Sequence, residues 1–195
     1  SFMEMPITQS ELEKYENYLK AYTADVKEMN GSVIYEISNE WDLNMWNKTL
    51  STVSTEEPLT IVKHYLAMVR TAYQTIKAED PSAKVVGITA SLSNKMLEFI
   101  KECAESGVIN YCDAIAIHPY SDPMYMSPEE YSTVLKLDAN GKATGEPVNG
   151  IQELLIEIKN ILTQAGKPDM PIILTEWGWT STPGLVSEEE QAQYI

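Results

Sequence analysis

Three short apolar runs of the sequence end in ionisable or aromatic side chains. YEISNE ends in Asn39 and Glu40, AIAIHPY ends in His118 and Tyr120, and IILTEWGW carries Glu176. An ionised glutamate at the rim of a packed core costs free energy unless a partner or a function uses it. These residues are therefore the first candidates for a functional site.

Two carboxyl groups that meet over a neutral sugar can cleave a glycosidic bond, and Glu40 and Glu176 are the two candidates. One must be protonated to give the leaving oxygen its proton, and the other must be ionised beside the anomeric carbon. Carboxyl groups about 5 Å apart act by double displacement, whereas a gap of about 6.5 to 9.5 Å admits water and inverts the centre. The plain alternative for each glutamate is a salt bridge in a loop.

The elements that must position these residues are helix patterns that alternate with short β-branched runs. Capping boxes predict three helix starts: Ser10 with Glu13, Ser54 with Glu57, and Ser187 with Glu190. Helix ends are predicted at Asn30-Gly31, Gly107 and Gly166. The predicted strands are SVIYEIS, KVVGIT, DAIAIHPY and PIILTEWGW.

This alternation indicates parallel strands joined by right-handed crossovers, and hence an α/β fold. An open doubly wound sheet and a closed barrel both fit the pattern. We favour a parallel (β/α) barrel of the TIM type, because no Gly-rich phosphate loop follows a strand and polar residues cluster at strand ends. A whole barrel needs eight units and about 250 residues. We therefore expect one catalytic-type barrel domain over residues 1–195, truncated at both ends.

The segment 121–149 interrupts the alternation. Within it, LKLDANGKAT places Asn140-Gly141 between two short alternating runs, which predicts a small hairpin with a tight type I′ turn. Loops of this length are often functional. A surface excursion without a function fits the sequence equally well.

Composition and charge exclude several classes of partner. The formal net charge of −15 repels nucleic acid and anionic membrane surfaces, whereas uncharged polymers remain suitable ligands. No apolar run approaches the roughly 18 residues of a membrane span. Cys103 and Cys112 lack metal-ligand spacing and fit small buried side chains, with one bridge left open. The two histidines form no zinc motif, so we expect no metal and no cofactor.

The order of the strand-end motifs resembles that of glycoside hydrolase clan A, whose members are retaining (β/α)8 enzymes. The motifs are Asn-Glu, then His-Pro-Tyr, then Thr-Glu-Trp-Gly. The resemblance implies that the strands here match the fourth to seventh of eight, that Glu40 is the general acid/base and that Glu176 is the nucleophile. It also implies that Asn39 binds the sugar hydroxyl next to the reacting carbon, that Tyr120 contacts the nucleophile and that His118 lines the pocket.

Other residues near the motifs admit a structural reading. Asn39 and Glu40 have opposite strand parity, so the chain must turn or bulge for both to serve one sugar. Glu36 has the parity of Glu40 and is expected to be a buried structural carboxylate with a partner. Trp179 is the preferred stacking platform for a sugar ring. His118 could instead be a core histidine with satisfied hydrogen bonds.

The predicted function is retaining hydrolysis of a β-linked oligosaccharide or polysaccharide. The alternative is a sugar-binding relic, or half of a barrel that keeps both glutamates without a complete pocket. A partial barrel exposes the edges of its outer strands, so we expect either a homodimer or no turnover if the chain is a genuine partial barrel. We expect a secreted or periplasmic location, with a cytoplasmic one left open.

Overall fold

The computed structural model describes residues 8–29, 31–42, 61–120, 126–130, 133–181 and 183–195. The helices are α1 (Gln9–Lys27), α2 (Ile61–Glu79), α3 (Met96–Glu105), α4 (Gly150–Gln164) and α5 (Glu188–Tyr194), with a 3-10 turn at Val108–Tyr111. The strands are β1 (Ile34–Glu36), β2 (Lys84–Ala90), β3 (Ala114–Ile117), β4 (Leu135–Leu137), β5 (Ala143–Pro147) and β6 (Ile172–Leu174). No helix in these ranges is both long and apolar enough to cross a lipid bilayer.

Four of the strands form one parallel sheet in the order β1-β2-β3-β6. Helix α2 connects β1 to β2, α3 connects β2 to β3, and α4 lies between β3 and β6. Parallel strands need such crossovers, because a tight turn reverses the direction of the chain. The predicted α/β class and all four predicted strands are therefore confirmed. Within the described residues the sheet has four strands, with β1 and β6 at its edges, and the TIM-type barrel stays a prediction.

The main core lies between the helices and one face of the sheet. Alternate residues of β2 and β3 point into it, because successive side chains on a strand face opposite sides. Fully buried members of this core include Ile76, Val85, Ile88, Leu97, Ile115 and Ile158. The residues between them on the strands form a small second cluster of Val86, Ala114 and Ala116, against which Ile173 packs. The sheet is thus buried on both faces over its central strands.

A register shift in β2 occurs at Gly87, between Val86 and Ile88. A Cβ atom at Gly87 would lie 2.4 Å from Cys112 Sγ and 2.8 Å from Val69 Cγ1. Glycine is therefore required by close approach rather than by its dihedral angles. The shift sets the register of β2 on β3, and therefore how far the carboxyl ends of the two strands extend relative to each other.

The helix ends agree with the sequence patterns except at α1. Its capping box uses Thr8 and Glu11, which lie two residues before the predicted Ser10 and Glu13. Both pairs have the spacing of a capping box. Because α1 begins at Gln9, Ser10 lies inside its first turn and is not the N-cap. Helix α1 also ends at Lys27, before the predicted stop. The box of Ser187 and Glu190 is confirmed, whereas that of Ser54 and Glu57 lies outside the described residues.

Strands β4 and β5 form the predicted antiparallel hairpin. The connection is longer than the predicted two-residue turn and covers residues 138–142, because Asp138 Oδ1 accepts the N–H groups of Asn140 and Lys142 at 2.8 and 2.9 Å. Lys142 Nζ also contacts Glu98 and Glu102 on α3, at 2.7 and 3.2 Å. The hairpin is thereby fixed to a helix of the α/β unit.

Both cysteines are buried free thiols. Burial raises the pKa of the Cys112 thiol to about 12, which keeps it protonated at neutral pH. Cys112 Sγ contacts the Val108 carbonyl oxygen at 3.3 Å. The two residues therefore have the structural role that the sequence predicts.

Candidate active site

The carboxyl ends of the four parallel strands lie at one edge of the sheet, and the candidate site is there. Glu40 follows β1, His118 and Tyr120 follow β3, and Glu176 follows β6. The structure brings these four side chains together, although they come from three separate strand ends. Parallel strands make this possible, because their carboxyl ends all lie on the same side of the sheet.

The centre of the cluster is His118. Its Nδ1 atom lies 2.9 Å from Glu40 Oε1 and 3.6 Å from Glu176 Oε2. The Tyr120 hydroxyl donates a hydrogen bond of 3.0 Å to the same Glu176 oxygen. Carboxylate oxygens of Glu40 and Glu176 lie within 4.8 Å of each other.

The two carboxyl groups reach solvent, whereas the imidazole lies beneath them. The His118 side chain is 1% exposed, compared with 22% for Glu40 and 43% for Glu176. A ligand that enters the site therefore meets the carboxyl groups first. His118 contacts Glu40 and Glu176, so its effect on such a ligand passes through these two groups.

The segment that presents Glu40 has an unusual backbone. Ser38 and Glu40 both adopt positive φ angles, of 70° and 49°. A left-handed conformation costs a residue other than glycine on the order of 1 kcal/mol or more, and such positions cluster at functional sites. The turn ends the strand alternation before Asn39, whose side chain is exposed. Simple strand alternation would point Asn39 and Glu40 to opposite faces, and the turn breaks this alternation. A sugar-binding role for Asn39 stays a prediction.

Two contacts hold this turn in place. The buried Trp41 indole donates a hydrogen bond to Ser38 Oγ, and its ring packs against Tyr65 with the centroids 5.0 Å apart. Asp42 accepts hydrogen bonds from the Ser91 N–H at 2.8 Å, the Ser91 hydroxyl at 3.0 Å and the Ser93 hydroxyl at 2.7 Å. Burial raises the pKa of Asp42, against the effect of these hydrogen bonds. The Glu40 turn is thus fixed to the end of β2.

Replacement of Asp42 tests this connection. In Asp42→Ala, three donors at the end of β2 lose their acceptor, and a buried donor without a partner costs about 1–3 kcal/mol. We therefore expect the free energy of unfolding in urea to fall by about that amount. The matched control is Ser93→Ala, which removes one of these donors and the acceptor of the exposed Lys95 N–H, and should cost about 1 kcal/mol or less. Equal losses in the two variants would contradict the connection.

Glu36 contacts His118 on the opposite side of the ring from Glu40. Its Oε1 atom accepts hydrogen bonds from the hydroxyls of Thr89 and Thr175, each at 3.0 Å, and lies 3.6 Å from His118 Nε2. Burial would raise the pKa of Glu36, but the contacts with His118, Thr175 and Thr89 outweigh it and lower the pKa. The prediction of a partner is confirmed. The prediction of burial is wrong, because the side chain is 30% exposed at the mouth of the sheet.

The charge of His118 is set by its surroundings. Burial alone would lower its pKa, but the neighbouring carboxylates of Glu36, Glu40 and Glu176 outweigh burial and raise it. Its Nε2 atom lies 3.0 Å from the Thr175 hydroxyl oxygen. His118 is therefore a buried histidine with partners on both nitrogens, and those partners belong to the site.

The tryptophans after Glu176 pack against each other. Trp179 is 4% exposed, and its indole N–H donates a 2.7 Å hydrogen bond to the Met126 carbonyl oxygen. The rings of Trp177 and Tyr194 lie 4.6 and 5.4 Å from it, centroid to centroid. Stacking on a sugar needs a free ring face, which this packing does not provide. A stacking role for Trp179 stays a prediction without support here, and Trp177 is the more accessible ring.

Within the part of the chain that the structure describes, Glu40, His118 and Glu176 form a group that could bind a metal ion. Each offers one ligand atom, and these atoms lie within 4.8 Å of one another. Carboxylate and imidazole ligands suit several divalent cations. That the site works without a metal therefore stays a prediction.

Comparison with known proteins identifies the fold. No protein-family model and no curated protein sequence matches the chain. Among solved structures, a family 39 glycoside hydrolase from Bacteroides cellulosilyticus matches with a TM-score of 0.62 and 23% identity over 97% of this chain and 34% of that one. The GH39 enzyme from Xanthomonas axonopodis pv. citri matches with a TM-score of 0.56 and 19% identity, over 89% and 31%. The chain shares the fold of part of these two structures.

A third match extends the same result. A monomeric β-xylosidase from Caulobacter crescentus has a TM-score of 0.54 and 17% identity, over 88% of this chain and 32% of that one. The chain thus spans about a third of the length of the structures it matches. At these identities the likeness concerns the fold, and the chemistry must be argued from the cluster itself.

Proposed function

We propose that the chain carries both catalytic carboxyl groups of a retaining β-glycosidase and is part of a (β/α)8 barrel. The observation that carries this proposal is the distance of at most 4.8 Å between carboxylate oxygens of Glu40 and Glu176. A separation near 5 Å suits direct attack by one carboxylate, because it leaves no room for a water molecule beside the sugar. The likeness to glycoside hydrolases supports the same reading.

In this proposal, Glu176 attacks the anomeric carbon while Glu40 gives its proton to the leaving oxygen. The glycosidic C–O bond breaks, and a covalent glycosyl ester forms on Glu176. Glu40, now ionised, then removes a proton from water, and the water oxygen displaces Glu176. The Tyr120 hydroxyl, 3.0 Å from Glu176 Oε2, orients the nucleophile. Asn39 is assigned to the sugar hydroxyl beside the reacting carbon.

The proposed substrates are neutral β-linked oligosaccharides or polysaccharides. The net charge of −15 disfavours anionic sugar chains over the range where charges act without screening. The carboxylates of Glu36 and Glu176 beside His118 have the same effect at short range. Solved relatives of the fold include a β-xylosidase, so a β-xyloside is a suitable first substrate.

The anomeric configuration of the first product tests the proposal. The full chain is incubated with 4-nitrophenyl β-xyloside, and proton NMR follows the sugar formed before mutarotation. Double displacement predicts the β-anomer, because two inversions restore the configuration. An α-anomer would contradict the mechanism, and absence of cleavage would favour the sugar-binding alternative.

A further inference from the structure

The chemistry of the groups around Glu36 determines which of them donates and which accepts each hydrogen bond. Glu36 Oε1 accepts from the hydroxyl of Thr175 at 3.0 Å, since an ionised carboxylate is the strongest acceptor within reach. A hydroxyl has one proton, so the Thr175 oxygen can only accept from His118 Nε2, which is 3.0 Å away. Nε2 of His118 therefore carries a proton.

The other ring nitrogen then has two possible states. Nδ1 lies 2.9 Å from Glu40 Oε1. If His118 is neutral, Nδ1 is an acceptor, and only a protonated Glu40 can complete the bond. If His118 is an imidazolium, Nδ1 donates to Glu40. The charge around the ring decides between these states.

Three carboxylates face the imidazole. Glu40 and Glu176 both lie on the Nδ1 side, at 2.9 and 3.6 Å, whereas Glu36 lies 3.6 Å from Nε2. Tyr120 is the remaining titratable group of the cluster, and its hydroxyl binds Glu176. Glu36 is therefore the carboxylate that favours the charged ring from the side away from the two proposed catalytic groups. Its two threonine donors favour its own ionised form.

We propose that Glu36 is a positioning residue that keeps His118 doubly protonated, through its charge and through Thr175, so that Nδ1 donates to Glu40 Oε1. This inference rests on the acid/base role proposed above for Glu40. The Nδ1–H bond orients the Glu40 carboxyl group and directs proton exchange with the substrate to Oε2. The proton given to the leaving oxygen comes from that atom and is recovered there from water.

The experiment follows the His118 imidazole by NMR while pH is varied, in the full chain without substrate. Glu36→Gln removes the charge and keeps the shape and an acceptor oxygen. We expect the midpoint of the His118 titration to move to lower pH by about one unit or more, and the alkaline limb of kcat/KM to move with it. His64 is the other histidine of the chain, so His64→Gln assigns the two signals.

Two matched variants separate charge from structure. Thr89→Val removes one donor to Glu36 but leaves its charge, so the midpoint should move less than in Glu36→Gln. Glu36→Asp keeps the charge, so the midpoint of the His118 titration should stay close to that of the native chain. An unmoved midpoint in Glu36→Gln, or an equal shift in Thr89→Val, would overturn the proposal. Because the titration uses no substrate, this failure is distinct from failure of the glycosidase proposal.

Discussion

Glu176→Ala is expected to reduce the turnover of an aryl β-glycoside by on the order of 10⁴-fold or more. The variant lacks the proposed nucleophile, so no glycosyl ester can form in the first displacement. Glu40 has an oxygen within 4.8 Å of Glu176, but it offers little compensation because it is the proposed proton donor. The measurement is kcat on 4-nitrophenyl β-xyloside under saturating substrate.

Added azide makes this variant diagnostic. The small anion fits the space left by the carboxylate and attacks the anomeric carbon from the same side as Glu176 did. One displacement gives an α-glycosyl azide, which NMR distinguishes from the β-form. The matched control is Tyr120→Phe, which removes the 3.0 Å hydrogen bond to Glu176 but keeps the nucleophile. Full activity in Glu176→Ala would refute the assignment.

Glu40→Ala is expected to lower kcat/KM by about 10²- to 10⁴-fold, depending on the leaving group. An aryl group that leaves readily needs little protonation, whereas an alkyl or sugar leaving group depends on it. The loss should therefore grow as the leaving group becomes more basic. A series of aryl β-xylosides of graded acidity measures this dependence.

The control for Glu40→Ala is Glu188→Ala, which removes an exposed carboxyl group on α5 and should leave the rates unchanged. In the Glu40 variant, azide attacks the glycosyl ester on Glu176 and should give a β-glycosyl azide. The two variants are thus expected to give azides of opposite configuration. A loss in Glu40→Ala that is equal for all leaving groups would exclude a role in proton donation.

Local patterns in the sequence predict much of the fold. Apolar runs predict the four parallel strands, and Asn140-Gly141 predicts the hairpin, because these signals depend on residues close together in the chain. The start of α1 shows the limit of such signals. Thr8 with Glu11 and Ser10 with Glu13 have the same spacing, so spacing alone does not choose between them.

The cluster is predictable only in part, because its hydrogen bonds join distant segments. Glu40 and Glu176 can be selected from their positions at strand ends, but the partners of Glu36 come from β2 and from the end of β6. Thr175 gives no signal in the sequence beyond its place before Glu176. Asp42 has none either, since its donors on Ser91 and Ser93 are known only once β2 is placed.

The sequence predicts an irregular backbone near Glu40. Opposite parity of Asn39 and Glu40 predicts a turn or bulge without saying which, and the structure answers with positive φ angles at Ser38 and Glu40. Neither residue is a glycine, so propensity would not have chosen these positions. The anchors at Trp41 and Asp42 supply the reason that the conformation holds.

One sheet of four consecutive parallel strands carries every residue of the proposed cluster, from Glu36 to Glu176. A gene segment that encodes residues 34–176 therefore carries the proposed catalytic groups and their supports as one inherited unit. In the barrel proposed above, recombination outside that segment would change the surroundings of these side chains and not the side chains themselves. Such a unit can keep one reaction constant while the choice of sugar changes over evolution.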